Sequence, residues 1–122
     1  MSGLLPVQPI LVPHDLGQYR LMEDWRYKLV DEFGKFLEHR TVFSGFKYDG
    51  ASIPRFFWRV IGGPFRPEYM LPALEHDELC KKKPRTSAIA AMHFYQRLLA
   101  NGVGQKTAWT MYKAVLWMGP KW

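Results

Sequence analysis

The first half of the sequence alternates apolar and polar residues, and the second half changes to helical spacing. Trp25, Tyr27 and Leu29 alternate with Arg26 and Lys28, which is typical of a strand with one buried face. This segment is therefore predicted to be a β-strand that presents its aromatic side chains to a core.

A turn and two further strands are predicted directly after it. Residues 31–34 read Asp-Glu-Phe-Gly, and the glycine suits the left-handed conformation that tight turns require. Residues 35–42 then run back, which predicts a β-hairpin. A short third strand is predicted around residues 45–48, leading into a loop at 49–52.

Helical signals dominate the rest of the chain. Thr86 or Ser87 is a suitable N-cap, and Asn101-Gly102 is a helix-ending signal. The predicted helices cover residues 54–61, about 72–81, 87–100 and 105–118, the second with Pro72 in its first turn. The positions predicted to be buried are Ala88, Ala91, Met92, Tyr95, Leu98 and Leu99 in the third of these and Ala108, Met111, Tyr112 and Val115 in the last.

Strands followed by helices indicate the α+β class. We expect a small antiparallel sheet from the N-terminal half to pack against a three- to four-helix layer from the C-terminal half. Residues 1–18 carry the scattered breakers Gly3, Pro6, Pro9 and Pro13 and are predicted to be an extended arm without regular structure. Residues 19–122 are predicted to be a single domain.

Apolar runs and cysteine content bear on the cellular location. No apolar run approaches the ~20 residues that span a bilayer, so no membrane-spanning helix is expected. The N-terminus lacks a signal-peptide pattern, and Cys80 is the single cysteine. Folding in a reducing cytoplasm is the simplest interpretation.

The net charge of +6 is unevenly distributed. Eleven acidic and nine basic residues lie up to Glu78, whereas eight basic and no acidic residues follow it. This C-terminal third is either a solvated basic face or a surface for nucleic acid, an anionic polymer or an acidic protein. The residues predicted to bind are Lys81, Lys82, Lys83 and Arg85, together with Lys106, Lys113 and Trp117 on one side of the last helix.

Several segments are similar to a known family. Residues 45–55 read Gly-Phe-Lys-Tyr-Asp-Gly-Ala-Ser-Ile-Pro-Arg, residues 73–77 read Ala-Leu-Glu-His-Asp, and residues 111–115 read Met-Tyr-Lys-Ala-Val. In this order they resemble the phage and prophage family known as domain of unknown function 1353. The resemblance implies a phage, prophage or related bacterial origin. We therefore expect a protein that is made in the host cytoplasm, with incorporation into the virion as an alternative, and that has other phage proteins or an anionic surface as partners. It implies no established activity.

A polar cluster is predicted where the loop meets the helix near residue 72. Helix geometry places His76 and Asp77 on the two shoulders of a buried face, while Glu75 and Glu78 are expected to face water. We expect His76 and Asp77 to converge with Asp49 and Arg55, Arg55 pairing with Asp77 and His76 meeting Asp49.

Three interpretations of this cluster remain open. A structural network satisfies the buried polar groups and suits an accessory, non-catalytic binding protein without a cofactor. A metal-assisted hydrolase would hold zinc or another divalent ion on His76, Asp77 and Asp49, with Arg55 as an anion-binding residue. A serine hydrolase would use Ser52 with His76 and one of the aspartates.

Overall fold

The computed structural model describes residues 11–15, 18–48 and 67–122, and it describes the side chains of residues 20–47 and 68–122. The five strands of these ranges are β1 (Leu11–Asp15), β2 (Gln18–Leu21), β3 (Trp25–Val30), β4 (Phe36–Val42) and β5 (Lys47–Tyr48). The helices are α1 (Pro67–Lys82), α2 (Ser87–Ala100) and α3 (Gln105–Met118). The α+β class is therefore confirmed.

The strands form two antiparallel sheets. One sheet has the order β1-β2-β5, and the other is the β3-β4 hairpin. Residues 11–15 were predicted to lack regular structure, and this was wrong, because β1 pairs with β2 along its length. The scattered prolines had argued against a strand here. A proline is nevertheless tolerated in an edge strand such as β1, at a position where no backbone N–H has to donate to the neighbouring strand. The predicted third strand is present, but β5 pairs with β2 and not with the hairpin.

The hairpin has the predicted faces and turn. Tyr27 and Leu29 are buried, whereas Lys28 between them is exposed. Asp31 Oδ1 accepts hydrogen bonds from two backbone N–H groups of the turn, and Gly34 has a φ of 79°. The short polar side chain and the glycine thus close the turn as the sequence predicts.

Helices α2 and α3 match the prediction closely. Thr86 is the N-cap of α2, its hydroxyl accepting from the Ile89 N–H at 3.2 Å. Asn101 is the C-cap, and Gly102 follows with a φ of 92°. Local capping chemistry was sufficient to place these ends.

Helix α1 begins earlier than predicted, at Pro67 and not near Pro72. Pro72 therefore lies inside the helix, where its nitrogen cannot donate to the carbonyl of Glu68 one turn before. The side chain of Asn101 supplies a donor instead, its Nδ2 lying 3.3 Å from the Glu68 carbonyl oxygen. A tertiary contact thus compensates a local defect in the helix.

The core lies where the hairpin, α1, α2 and α3 meet. Its fully buried side chains include Leu29, Leu74, Phe94, Leu98 and Met111. The predicted stripe of α2 was wrong at Ala88 and Leu99, which are exposed. Compared with the prediction, helix α2 is rotated about its axis, so that Phe94 and the polar His93 take the fully buried positions. None of the helices in the described ranges is long and apolar enough to cross a membrane.

Candidate functional site: a buried ionic cluster on helix α1

The predicted site is only partly within the described ranges. Asp49, Ser52 and Arg55 lie outside them, so their convergence with the helix, the metal site and the serine hydrolase all stay predictions. His76 and Asp77 are buried on α1, as predicted. Within residues 11–15, 18–48 and 67–122, no three His, Cys, Asp or Glu side chains are grouped as metal ligands would be.

His76 is buried inside the helical layer. Its ring centroid is 5.1 Å from that of Phe94, and its Nδ1 is 3.7 Å from the Sγ of Cys80 one turn later. Burial, and to a lesser extent the nearby His93, lowers the pKa of His76 from 6.5 to about 3. The imidazole is therefore neutral at physiological pH.

Glu75 and Glu78 of this helix are also buried, contrary to prediction. Glu75 and Glu78 are only 0% and 2% exposed. They were expected to face water because they lie opposite the face predicted to be buried. Residues 69–79 of α1 are instead enclosed on all sides, and a helix enclosed in this way buries whatever polar side chains it carries.

Glu78 binds the inner face of the hairpin. Its Oε1 accepts from the Tyr27 hydroxyl at 2.7 Å and from Arg40 Nε at 2.9 Å, and its Oε2 accepts from Arg40 Nη2 at 2.8 Å. Tyr27 and Arg40 are directly opposite each other on β3 and β4. Burial, followed by the Glu78 carboxylate, raises the pKa of Tyr27 far above its ordinary value. The hydrogen bonds that Arg40 donates to Glu78 are the main cause of the raised pKa of Arg40.

Glu75 connects α1 to both the hairpin and α2. Its Oε2 accepts from Trp25 Nε1 at 2.9 Å and from Arg97 Nη2 at 3.2 Å. Its Oε1 lies 2.7 Å from Nε2 of the fully buried His93. Arg97 Nε is 3.0 Å from Oε1 but does not have hydrogen-bond geometry. One carboxylate thus receives donors from a strand and from a second helix.

The tautomer of His93 follows from this arrangement. A carboxylate only accepts hydrogen bonds, so Nε2 carries the proton that is donated to Glu75. Nδ1 has no hydrogen-bond partner among the described residues.

The ionic cluster is defined as Trp25, Tyr27, Arg40, Glu75, Glu78, His93 and Arg97. Within it each carboxylate accepts from at least two side chains, and both carboxylates are closed to solvent. Such an arrangement stabilises one packing of helix against hairpin. It leaves neither carboxylate exposed to a substrate.

This cluster was not predicted from the sequence, although part of it has a signal there. Arg40 precedes the buried Val42 by two residues on β4, so the strand period alone places it on the inner face. A buried arginine needs an acid, and this requirement predicts a carboxylate on the opposing element. No comparable pattern marks His93, whose position depends on the rotation of α2.

The predicted basic residues are divided between two surfaces. Lys82 and Lys83 are exposed, while Lys81 lies over the Phe46 ring at 4.4 Å and donates to the Lys47 carbonyl. Arg85 pairs loosely with Glu38 at 3.4 Å. These residues lie at the junction of α1 and α2.

The second basic surface is on α3. Lys106 and Trp117 are exposed, and Lys113 is half-buried. The Lys113 Nζ lies 5.7 Å from the Trp117 ring centroid. The side of the helix on which these three residues were predicted to lie is therefore open to solvent.

The fold and the cluster define a small α+β protein in which one buried helix joins a hairpin to a helical layer. The chain belongs to the family described as "Protein of unknown function (DUF1353)", whose model matches residues 19–115. No solved structure matches it.

Two relatives come from Sinorhizobium fredii (strain NBRC 101917 / NGR234). The chain is 44% identical to the uncharacterized protein y4jT over 79 residues, which is 65% of this chain and 24% of the relative. It is 31% identical to the uncharacterized protein y4iH over 111 residues, which is 91% of this chain and 44% of the relative. The matched region therefore spans less than half the length of either curated relative.

Proposed function

We propose that this protein is a non-catalytic binding component, an accessory protein of a bacteriophage or prophage that docks on another phage protein through helix α3. The observation that carries the proposal is the exposure of large aromatic side chains beside lysines on this helix. Trp109 is 45% exposed and Trp117 is 63% exposed. Exposed tryptophans are uncommon on a surface that contacts only water, and they are enriched in protein interfaces.

The aromatic side chains of this surface support one another. The ring of Trp109 packs against Tyr95 of α2 at 5.5 Å and against Tyr112 at 5.0 Å. Rings held by their neighbours lose little conformational entropy on binding. Such preorganised rings are suitable anchors for a partner.

Charge indicates the chemistry of the partner. Helix α3 carries Lys106 and Lys113 and no acidic residue. The favoured partner is therefore a protein surface with acidic side chains around an apolar patch. The ionic cluster holds the fold in this proposal, because its carboxylates are already bonded internally.

The test uses phage particles purified from an induced lysogen that carries the gene. Wild-type protein is expected in the particles at constant stoichiometry, and Lys113→Glu/Trp117→Ala is expected to reduce its incorporation at least tenfold. The matched control is Lys35→Glu/Phe33→Ala, which removes the same two kinds of side chain at the exposed hairpin turn. Equal loss in both variants, or absence of the wild-type protein from particles and from their assembly intermediates, contradicts the proposal.

A zinc titration tests the competing metal-assisted hydrolase. If His76 and Asp77 have structural roles, His76→Ala should lower the free energy of unfolding by on the order of 1–3 kcal/mol. Zinc should then leave the melting temperature unchanged in the wild type, in His76→Ala and in Asp77→Asn. Stoichiometric zinc uptake by the wild type, with a higher melting temperature that both variants lose, would favour the hydrolase.

A further inference from the structure

A cleft of about 450 Å³ opens between strand β3 and helix α2, away from the α3 surface. Its volume lies in the range of small-molecule sites. One wall is formed by β3 and the other by the last turns of α2. The ionic cluster lies directly behind it, since Tyr27 and Arg97 belong to both.

Among the residues that the structure describes, three cationic ones line this cleft, namely Arg26, Lys28 and Arg97, and no acidic one does. Among the described residues, Arg26 and Lys28 have no ion-pair partner. Arg97 bonds Glu75, yet about a third of its side chain remains exposed. The arginines present planar donor groups that suit the oxygens of a phosphate or carboxylate.

The remaining lining is suited to an organic group. Val30 and Ala100 contribute apolar surface. Gln96 is held in place by its side-chain amide, which donates to the Asp31 carbonyl at 3.0 Å. The Asp31 carboxylate itself accepts two backbone N–H groups within the hairpin turn, so its charge is partly satisfied there.

We propose that this cleft binds a small organic molecule carrying a multiply charged oxyanion, phosphate or carboxylate. Arg26 and Lys28 supply the uncompensated positive charge, and Arg97 adds directional donors at the inner end. Apolar contacts from Val30 and Ala100 hold the organic part of the ligand. This inference does not depend on the docking role of α3.

The cluster behind the cleft provides a readout for binding. Trp25 Nε1 and Arg97 Nη2 donate to the same oxygen of Glu75. An anion that binds the Arg97 guanidinium weakens the hydrogen bond from Arg97 to Glu75. The hydrogen bond from Trp25 to the same Glu75 oxygen then strengthens. Binding should therefore change the indole N–H resonance of Trp25, which Trp25→Phe identifies among the five tryptophans.

The experiment titrates the full chain with pyrophosphate and, separately, with citrate, by calorimetry and by NMR of the indole N–H groups. The two arms distinguish a phosphate ligand from a carboxylate ligand. Arg26→Gln/Lys28→Gln should weaken binding about tenfold or more, as expected when two charge-assisted contacts are lost. Lys106→Gln/Lys113→Gln removes the same charge from α3 and should weaken it less than about twofold.

Saturable binding of either anion that depends on Arg26 and Lys28, with a shift of the Trp25 resonance, supports the cleft. Equal weakening in the two double variants overturns it, since the effect would then be one of net charge. Failure of both anions to bind at low ionic strength also overturns it. The α3 proposal is unaffected by any of these outcomes, because phage incorporation is measured separately.

Discussion

A carboxylate taken out of water is costly unless donors replace its hydration, and Glu78 has three donor atoms within 2.9 Å. Two of them come from Arg40, in a bidentate contact. The third is the Tyr27 hydroxyl, whose raised pKa keeps it a donor at any physiological pH. The geometry is that of a strong buried ion pair.

Glu78→Gln should therefore lower the free energy of unfolding by about 3 kcal/mol, because it leaves Arg40 without its counter-charge in a part-buried position. Urea denaturation gives the measurement. Glu32→Gln, at an exposed turn position, should change it by less than about 0.5 kcal/mol. Replacing all three groups together, as Glu78→Leu/Arg40→Met/Tyr27→Phe, should recover most of the loss, because no buried donor is then left without an acceptor. A triple variant as unstable as Glu78→Gln would contradict this account.

His76 makes a separate contribution that depends on pH. Its pKa is about 3 in the folded protein and 6.5 as an ordinary histidine, so between these values the unfolded chain binds a proton that the folded chain does not. The free energy of unfolding should then fall by roughly 1 kcal/mol per pH unit as the pH drops from 6.5 towards 3. Above pH 6.5 this contribution is constant.

The measurement compares wild type with His76→Gln in urea titrations between pH 4 and 8. The variant lacks this titration, so its stability should fall less steeply below pH 6.5 while other groups contribute equally to both proteins. Two parallel stability curves would show that His76 does not titrate as its burial requires. Because burial is the main cause of the shift, added salt should change the difference little.

At the scale of elements, α1 is stabilised from outside itself. Pro72 removes one helical hydrogen bond, and Asn101, at the end of α2, donates to the Glu68 carbonyl that would have accepted it. The C-cap residue of α2 thereby replaces a hydrogen bond that is missing inside α1. This contact explains how α1 can contain Pro72 in its interior, although the sequence predicts that the helix starts near this residue.

A double-mutant cycle tests this contact. Asn101→Ala should cost about 1–2 kcal/mol of unfolding free energy in the natural background. In a Pro72→Ala background the new N–H of residue 72 can bond the Glu68 carbonyl, so the same substitution should cost about 1 kcal/mol less. Equal costs in the two backgrounds would show that Asn101 acts only as a cap.

At the scale of the whole molecule, charges far apart in the sequence compensate one another. Glu75 meets Arg97, Glu78 meets Arg40, and Glu38 lies near Arg85. The C-terminal third is basic as a sequence, but two of its arginines face acids from the first part of the chain. In the described part of the chain, the exposed lysines and the cleft beside β3 consequently carry much of the positive charge that has no acidic partner.

Local patterns in the sequence determined the hairpin, the ends of α2 and α3 and the α+β class, because period, caps and turn residues act over a few positions. They also placed His76 and Asp77 inside. Tertiary structure alone decided that Glu75, Glu78 and His93 are buried. A helix enclosed on all sides has no exposed face for a periodic pattern to reveal, and the donors that make its acids tolerable lie on strands and helices distant in sequence. The division between arm and domain stays a prediction.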